Sequence, residues 1–140
     1  MIRLLCIDDD PIIRSYLATR LQAEPDITVV GSVPDTQRAM IHLRLGDIDV
    51  VLLDYQLQGT DSTHLVQSMS PWTRWSLDAD NRPGVLFCTG FADEGFRAKA
   101  RMMGARGVVS KDRLATDLIP AIRAVAQGDA WFPPATPGLP

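Results

Sequence analysis

The chain has 140 residues and a mass of 15.4 kDa, which is enough for one domain with its own hydrophobic core. Its hydrophobic content of 46% and charged content of 22% are ordinary for a globular domain. A net charge of −3 without a basic cluster argues against nucleic-acid binding by this segment. The sequence has no apolar run of membrane-spanning length and no signal-peptide core, so we expect no membrane contact and a cytoplasmic location.

Short apolar segments alternate along the chain with segments of helical spacing. Strands are predicted at 4–7, 27–30, 50–53, 85–88 and 108–109, with Gly31 closing the second. Helices are predicted at about 10–23, 35–46, 63–69, 93–103 and 118–127, the last capped by Asp117 with Pro120 in its first turn. A strand–helix unit repeated five times implies parallel strands joined by right-handed crossovers. The predicted fold class is therefore α/β, a doubly wound five-stranded parallel sheet.

Chemically informative residues follow four of the five predicted strands. Asp8 and Asp9 follow the first, Asp54 the third, Thr89 the fourth and Lys111 the fifth. The carboxyl ends of parallel strands share one edge of the sheet, where ligands bind in open α/β folds. We therefore expect three carboxylates, a hydroxyl and an ammonium group to converge there.

Such a group of residues suits phosphoryl chemistry. Three neighbouring carboxylates repel one another unless a cation compensates, and carboxylate oxygens are ligands that Mg²⁺ prefers. A phosphoryl group in transfer needs a metal, a cation such as Lys111 and short donors such as Thr89. Asp54 is then either a metal ligand or the nucleophile that accepts the phosphoryl group.

The same residues resemble the motif positions of the receiver domain of two-component response regulators, over about residues 2–128. The resemblance implies a flavodoxin-like fold and a phosphoacceptor switch, not a turnover enzyme. Asp54 would accept the phosphoryl group from a phosphohistidine of a sensor histidine kinase. Mg²⁺ would be held by Asp8, Asp9, Asp54 and the backbone carbonyl of Gln56.

The resemblance also assigns roles around the phosphoryl group. Thr89 and Lys111 would hold its oxygens, and Gly90 would leave room for the incoming donor. The side chain of Gln56 stands where residues of this family tune hydrolysis of the acyl phosphate. Thr89 and Val108 occupy the two switch positions.

Three stretches resemble the NarL/FixJ (LuxR-type) branch of the family: residues 2–11, residues 121–128 and Lys111-Asp112. Members of that branch carry a helix-turn-helix DNA-binding domain after a linker. We expect a receiver domain at 1–128 and a proline-rich linker or tail at 129–140, with transcriptional output through a domain beyond it. Homodimers would form through the predicted fourth helix, fifth strand and fifth helix.

The chain departs from the family pattern at several positions. Leu57-Gln58 and Ser62 replace the usual Met-Pro pair and glycine after the phosphoacceptor. Val108 replaces the switch aromatic, and a valine cannot swing inward behind Thr89 as a tyrosine does. The signal then passes through the backbone of the loop after the fourth strand, or the switch is weak.

Two alternatives stay open at this point. A receiver-like interaction module controlled without phosphate is favoured by Val108 and by the long connection containing Trp72 and Trp75. A phosphohydrolase would use Asp54 as its nucleophile, but Gln56 stands where such an enzyme needs a general acid.

Overall fold

The protein is built on a parallel five-stranded sheet, in which the first strand of the chain lies between the second and the third, and the fourth and fifth follow beyond the third. The computed structural model describes residues 1–57, 60, 61, 66, 83–90 and 92–133. Its elements are β1 Ile2–Ile7, α1 Pro11–Gln22, β2 Ile27–Val33, α2 Thr36–Leu45, β3 Val50–Asp54, β4 Gly84–Thr89, α3 Glu94–Met102, β5 Gly107–Ser110 and α4 Leu114–Ala126. A short antiparallel pair, Gln56–Leu57 with Thr60–Asp61, follows β3. The predicted α/β doubly wound sheet is confirmed.

Some predicted features lie outside the described residues. These are the helix at 63–69, the loop positions Gln58 and Ser62, the Trp72 and Trp75 connection, and residues 134–140. Helix α3 is therefore the fourth helix predicted from the sequence, and α4 is the fifth. Among the described residues no helix is long and apolar enough to cross a membrane.

Two apolar clusters cover the two faces of the sheet. One joins α1 and α4 to the strands, and the other joins α2 and α3 to them. All five residues of β3 are buried. This explains the unbroken apolar run at 50–53, because a parallel strand covered by helices on both faces has no solvent-exposed face. The two cysteines, Cys6 and Cys88, are buried and unbonded, and burial raises the pKa of each to about 12.

Strand β2 is longer than predicted, because Gly31 lies inside it and does not close it. Its pairing with β1 slips by one residue between Leu4 and Leu5, so that Val30 bulges out of the register. A Cβ at Gly31 would lie 2.8 Å from the His42 ring of α2. The glycine therefore allows the strand to continue under that helix.

Helix α4 starts earlier than predicted, at Leu114 and without a side-chain cap, so Pro120 lies in its interior. Residues Leu114, Leu118, Ile122 and Val125 form a buried stripe at helical spacing. Burial of Leu114 with this stripe favours the earlier start. The carbonyl that loses its partner at the proline is on the solvent side, because Pro120 is exposed.

The residues after α4 turn back to the sheet. Trp131 makes a parallel bridge to Gly107: its N–H donates to the Arg106 carbonyl at 2.8 Å, and its carbonyl accepts from the Val108 N–H at 2.9 Å. The Phe132 ring lies 4.4 Å from the Arg101 guanidinium of α3. The domain boundary at residue 128 stays a prediction, and the start of the expected linker packs on β5.

The same substitution at two glycines should change stability in opposite directions. A Cβ at Gly107 would lie 2.8 Å from Leu86 Cδ1 and 2.9 Å from the Trp131 carbonyl oxygen, so Gly107→Ala should lower the free energy of unfolding by about 1–3 kcal/mol. Among the described residues, a Cβ at Gly95 in α3 meets only Asp93 Oδ1, at 3.6 Å, so Gly95→Ala should raise the free energy of unfolding by about 0.5 kcal/mol. Urea unfolding measures both, and a fully stable Gly107→Ala variant would contradict the close packing.

Candidate functional site

The predicted residues at the strand ends meet at one edge of the sheet. The register pairs Ile7 with Leu53 and Asp54 with Cys88, so Asp8 and Asp54 lie side by side on neighbouring strands. In the described part of the chain the buried polar or charged residues are Asp8, Asp54 and Thr89. Burial of polar groups costs free energy unless they are paired, so a cluster of them at one rim indicates a site.

Lys111 supplies the positive charge at this rim. Its Nζ lies 3.4 Å from Asp8 Oδ2 and 3.4 Å from Asp54 Oδ2. The side chain is 27% exposed, whereas those of Asp8 and Asp54 are 4% and 8% exposed. The ammonium therefore closes the site from the solvent side and bridges the two buried carboxylates.

Asp9 completes an acidic cluster with Asp8 and Asp54. One carboxylate oxygen from each residue lies within 4.8 Å of the others. Asp9 is half-buried, so its carboxylate reaches the rim from the solvent side. Three carboxylate oxygens at this separation are suitable ligands for a hard divalent cation.

The start of α1 fixes the orientation of the acidic pair. Asp10 caps the helix, because its side chain accepts from the Ile12 N–H at 2.9 Å, and Pro11 occupies the first helical position. Asp8 Oδ1 accepts from the Asp10 N–H at 2.9 Å, and Arg14 of α1 donates to the Asp8 carbonyl at 2.7 Å. These bonds hold the Asp8 carboxylate toward Asp54.

The other predicted residues surround the carboxylates. The Gln56 N–H donates to Asp54 Oδ1 at 3.3 Å, and its side chain is exposed. Thr89 ends β4 opposite Ser110 of β5, next to Lys111. Gly90 is exposed, and a Cβ there would meet no atom of the described residues within 4 Å.

The electrostatics of the site follow from burial. Desolvation and then the negative charge of Asp8 raise the pKa of Asp54 from 3.8 to about 6, against the opposing effect of Lys111. Burial lowers the pKa of Lys111, but the carboxylates of Asp54 and Asp8 outweigh it and the net pKa lies above its usual value. Asp54 is therefore a carboxylate in a site short of positive charge.

Val108 does not lie with the carboxylates. It is buried in the cluster between the sheet and α2 and α3, in register with Phe87 of β4. Near it, Tyr55 contacts Phe87 and Phe96, and Lys99 of α3 donates to the Tyr55 hydroxyl at 2.6 Å. Sequence reasoning missed these contacts, and the spacing of Tyr55 and Lys99, which are 44 residues apart, gave no signal for them.

Comparison with known proteins assigns the family. The model of the response regulator receiver domain matches residues 4–123, and the chain belongs to this family. A crystal structure of a LuxR-family two-component response regulator from Aurantimonas superposes with a TM-score of 0.79 at 26% identity, over 92% of this chain and 87% of that one. The predicted receiver domain and its LuxR-type branch are thus confirmed.

Curated relatives are longer proteins. Fimbriae Z protein of Salmonella typhimurium is 29% identical over 95% of this chain and 60% of its own length. Transcriptional regulatory protein LiaR of Bacillus subtilis is 31% identical over 92% of this chain and 58% of its own length. The chain therefore spans somewhat more than half the length of the curated relatives it matches.

Removing the charge of Asp54 should change how stability depends on pH. Because the folded pKa of about 6 lies above the ordinary 3.8, ionisation of Asp54 destabilises the fold as the pH rises between these values. Asp54→Asn has no such cost. Without divalent cations, its free energy of unfolding relative to the wild type should increase by about 3 kcal/mol across that interval and stay constant above it.

The measurement is urea unfolding in a chelating buffer at several pH values. If the stability of Asp54→Asn relative to the wild type falls as the pH rises, Asp54 is not the carboxylate whose ionisation destabilises the fold.

Proposed function

We propose that this domain is a phosphoacceptor switch of a two-component system, phosphorylated on Asp54 by a sensor histidine kinase with Mg²⁺. The observation that supports this most directly is the buried Asp54 carboxylate held between Asp8 and the Lys111 ammonium. Family membership supports the same role. The domain transfers a phosphoryl group to itself and releases it, and does not turn over a separate substrate.

The reaction begins at the Asp54 carboxylate. One carboxylate oxygen attacks the phosphorus of the phosphohistidine, a P–O bond forms, and the P–N bond to the imidazole breaks. The imidazole keeps the electron pair of that bond and takes up a proton. Lys111 stabilises the phosphoryl oxygens by its charge, Thr89 donates a hydrogen bond to them, and the open space beside Gly90 admits the donor.

The acidic cluster fits the metal that this reaction needs. Asp8, Asp9 and Asp54 offer hard oxygen ligands, and the backbone carbonyl of Gln56 would be the fourth. Bound Mg²⁺ would neutralise charge on the phosphoryl oxygens. The exposed Gln56 side chain lies two residues beyond the phosphoacceptor, where it would tune attack of water on the acyl phosphate.

Output would be transcriptional and would come from a part of the protein beyond residue 140. Two observations support this: the chain spans about 60% of its first curated relative, and LiaR is named a transcriptional regulatory protein. Homodimer formation through α3, β5 and α4 and a cytoplasmic location stay predictions. The phosphate-independent module and the phosphohydrolase are not favoured, because the family match is to phosphoacceptor regulators and the acidic cluster with Lys111 is intact.

Phosphorylation tests the proposal directly. Incubation with Mg²⁺ and acetyl phosphate should add ~80 Da to the intact protein, because one phosphoryl group on the Asp54 carboxylate is a net gain of HPO₃. Intact-mass spectrometry should show no addition for Asp54→Asn. Asp49→Asn, at the opposite end of β3, should be modified like the wild type. If the native protein gains no mass, the proposed function is wrong.

Magnesium binding tests the acidic cluster separately. A ligand that binds only the folded state raises the free energy of unfolding by about 1.4 kcal/mol at ten times its dissociation constant. We expect Mg²⁺ to stabilise the wild type in urea unfolding and to stabilise Asp9→Asn much less. Asp10→Asn keeps the helix cap and lies outside the cluster, so it should respond like the wild type. Equal responses of the two variants would exclude Asp9 as a ligand.

A further inference from the structure

We propose that Tyr55 couples the phosphorylation state of Asp54 to helix α3, through edge-to-face contacts with Phe87 and Phe96. The inference rests on the proposed function and adds the route by which the signal leaves the site. Tyr55 acts here as a positioning residue, because its ring packs on Phe87 and Phe96.

The backbone places Tyr55 next to the phosphoacceptor but on the other face of the sheet. Side chains alternate along an extended chain, so Asp54 points to the acidic rim while Tyr55 packs on the cluster that contains Leu53 and Phe87. The Gln56 N–H already donates to the Asp54 carboxylate. Phosphorylation converts the carboxylate into an acyl phosphate, which lowers the negative charge on the oxygen that accepts this bond. Tyr55 lies within the peptide segment that the bond closes.

Contacts among three aromatic rings, those of Tyr55, Phe87 and Phe96, link Tyr55 to α3. The Tyr55 and Phe96 centroids are 4.7 Å apart at 72°, those of Tyr55 and Phe87 are 5.9 Å apart at 79°, and those of Phe87 and Phe96 are 5.6 Å apart at 75°. Phe87 is fully buried in β4, so it is the fixed member. Edge-to-face packing restricts the angle between rings, and a displacement of Tyr55 is therefore passed to Phe96 in the first turns of α3.

A polar contact joins the same two elements further along the helix. Lys99 Nζ donates to the Tyr55 hydroxyl at 2.6 Å and lies 5.2 Å from its ring centroid. Tyr55 thus touches α3 at Phe96 and at Lys99, three residues apart and on one side of the helix. Contacts at two points along one helix face can transmit a tilt of α3, which a single contact could not.

Strand β5 contributes no aromatic side chain to this cluster. Val108 of β5 is buried in the same cluster and pairs with Phe87 in the register. The three rings fill the cluster next to it. The aromatic link between the site and α3 is therefore supplied by Tyr55, directly after β3, and not from β5.

The test compares hydrogen exchange of residues 94–102 with and without phosphorylation by acetyl phosphate and Mg²⁺, at equal phosphorylated fractions measured by intact mass. The wild type should show a difference in α3. Tyr55→Leu and Phe96→Leu should each lose more than half of that difference while Asp54 is still phosphorylated. Tyr55 follows β3 and Phe96 lies on α3. If one variant fails to fold, the other variant still tests the inference.

Tyr16→Leu is the matched control, because Tyr16 is the other tyrosine of the chain and lies 40% exposed on α1. It should keep the full α3 difference. The inference is overturned if a folded Tyr55→Leu or Phe96→Leu variant keeps the α3 difference, or if such a variant is no longer phosphorylated. It is also overturned if the phosphorylated wild type shows no difference in α3. Failure of the wild type to be phosphorylated overturns the proposed function instead, so the two failures are distinguishable.

Discussion

The ion pairs of Lys111 with Asp8 and Asp54 are the interaction on which the site depends. Two carboxylates buried side by side repel each other, and these two share the ammonium group of Lys111. One ammonium at 3.4 Å from each offsets part of this cost but cannot neutralise two negative charges, or three when Asp9 is included. The fold therefore holds an excess of negative charge that a divalent cation would balance.

This charge excess can persist because the surrounding sheet is rigid. Strands β1 and β3 are anchored by fully buried residues on both faces, so the two carboxylates cannot move apart to relieve repulsion. The Arg14 bond to the Asp8 carbonyl and the Asp10 cap fix the loop above them. The stability of the core thus maintains an arrangement of charges that is unfavourable by itself, as is common at functional sites.

Much of the fold could be predicted because its signals are local. The run at 50–53, the Asp10-Pro11 helix start and the Gly46 stop each depend on neighbouring residues, and the structure has all three. The convergence of Asp8, Asp54 and Lys111 could also be predicted, since it follows from the parallel direction of the strands. The errors came where tertiary packing decides: Gly31 continues β2 because His42 packs on it, and burial of Leu114 draws Pro120 into the interior of α4.

The bridge between Trp131 and Gly107 has a consequence for how the protein behaves at high concentration. Strand β5 is an outer strand of the sheet, and its open side presents backbone groups to which a second molecule could add a strand. Trp131 occupies the Val108 N–H and the Arg106 carbonyl on that side. The residues after α4 thus block addition of a strand from a second molecule at this edge. A chain truncated directly after that helix would expose these backbone groups and would aggregate more readily.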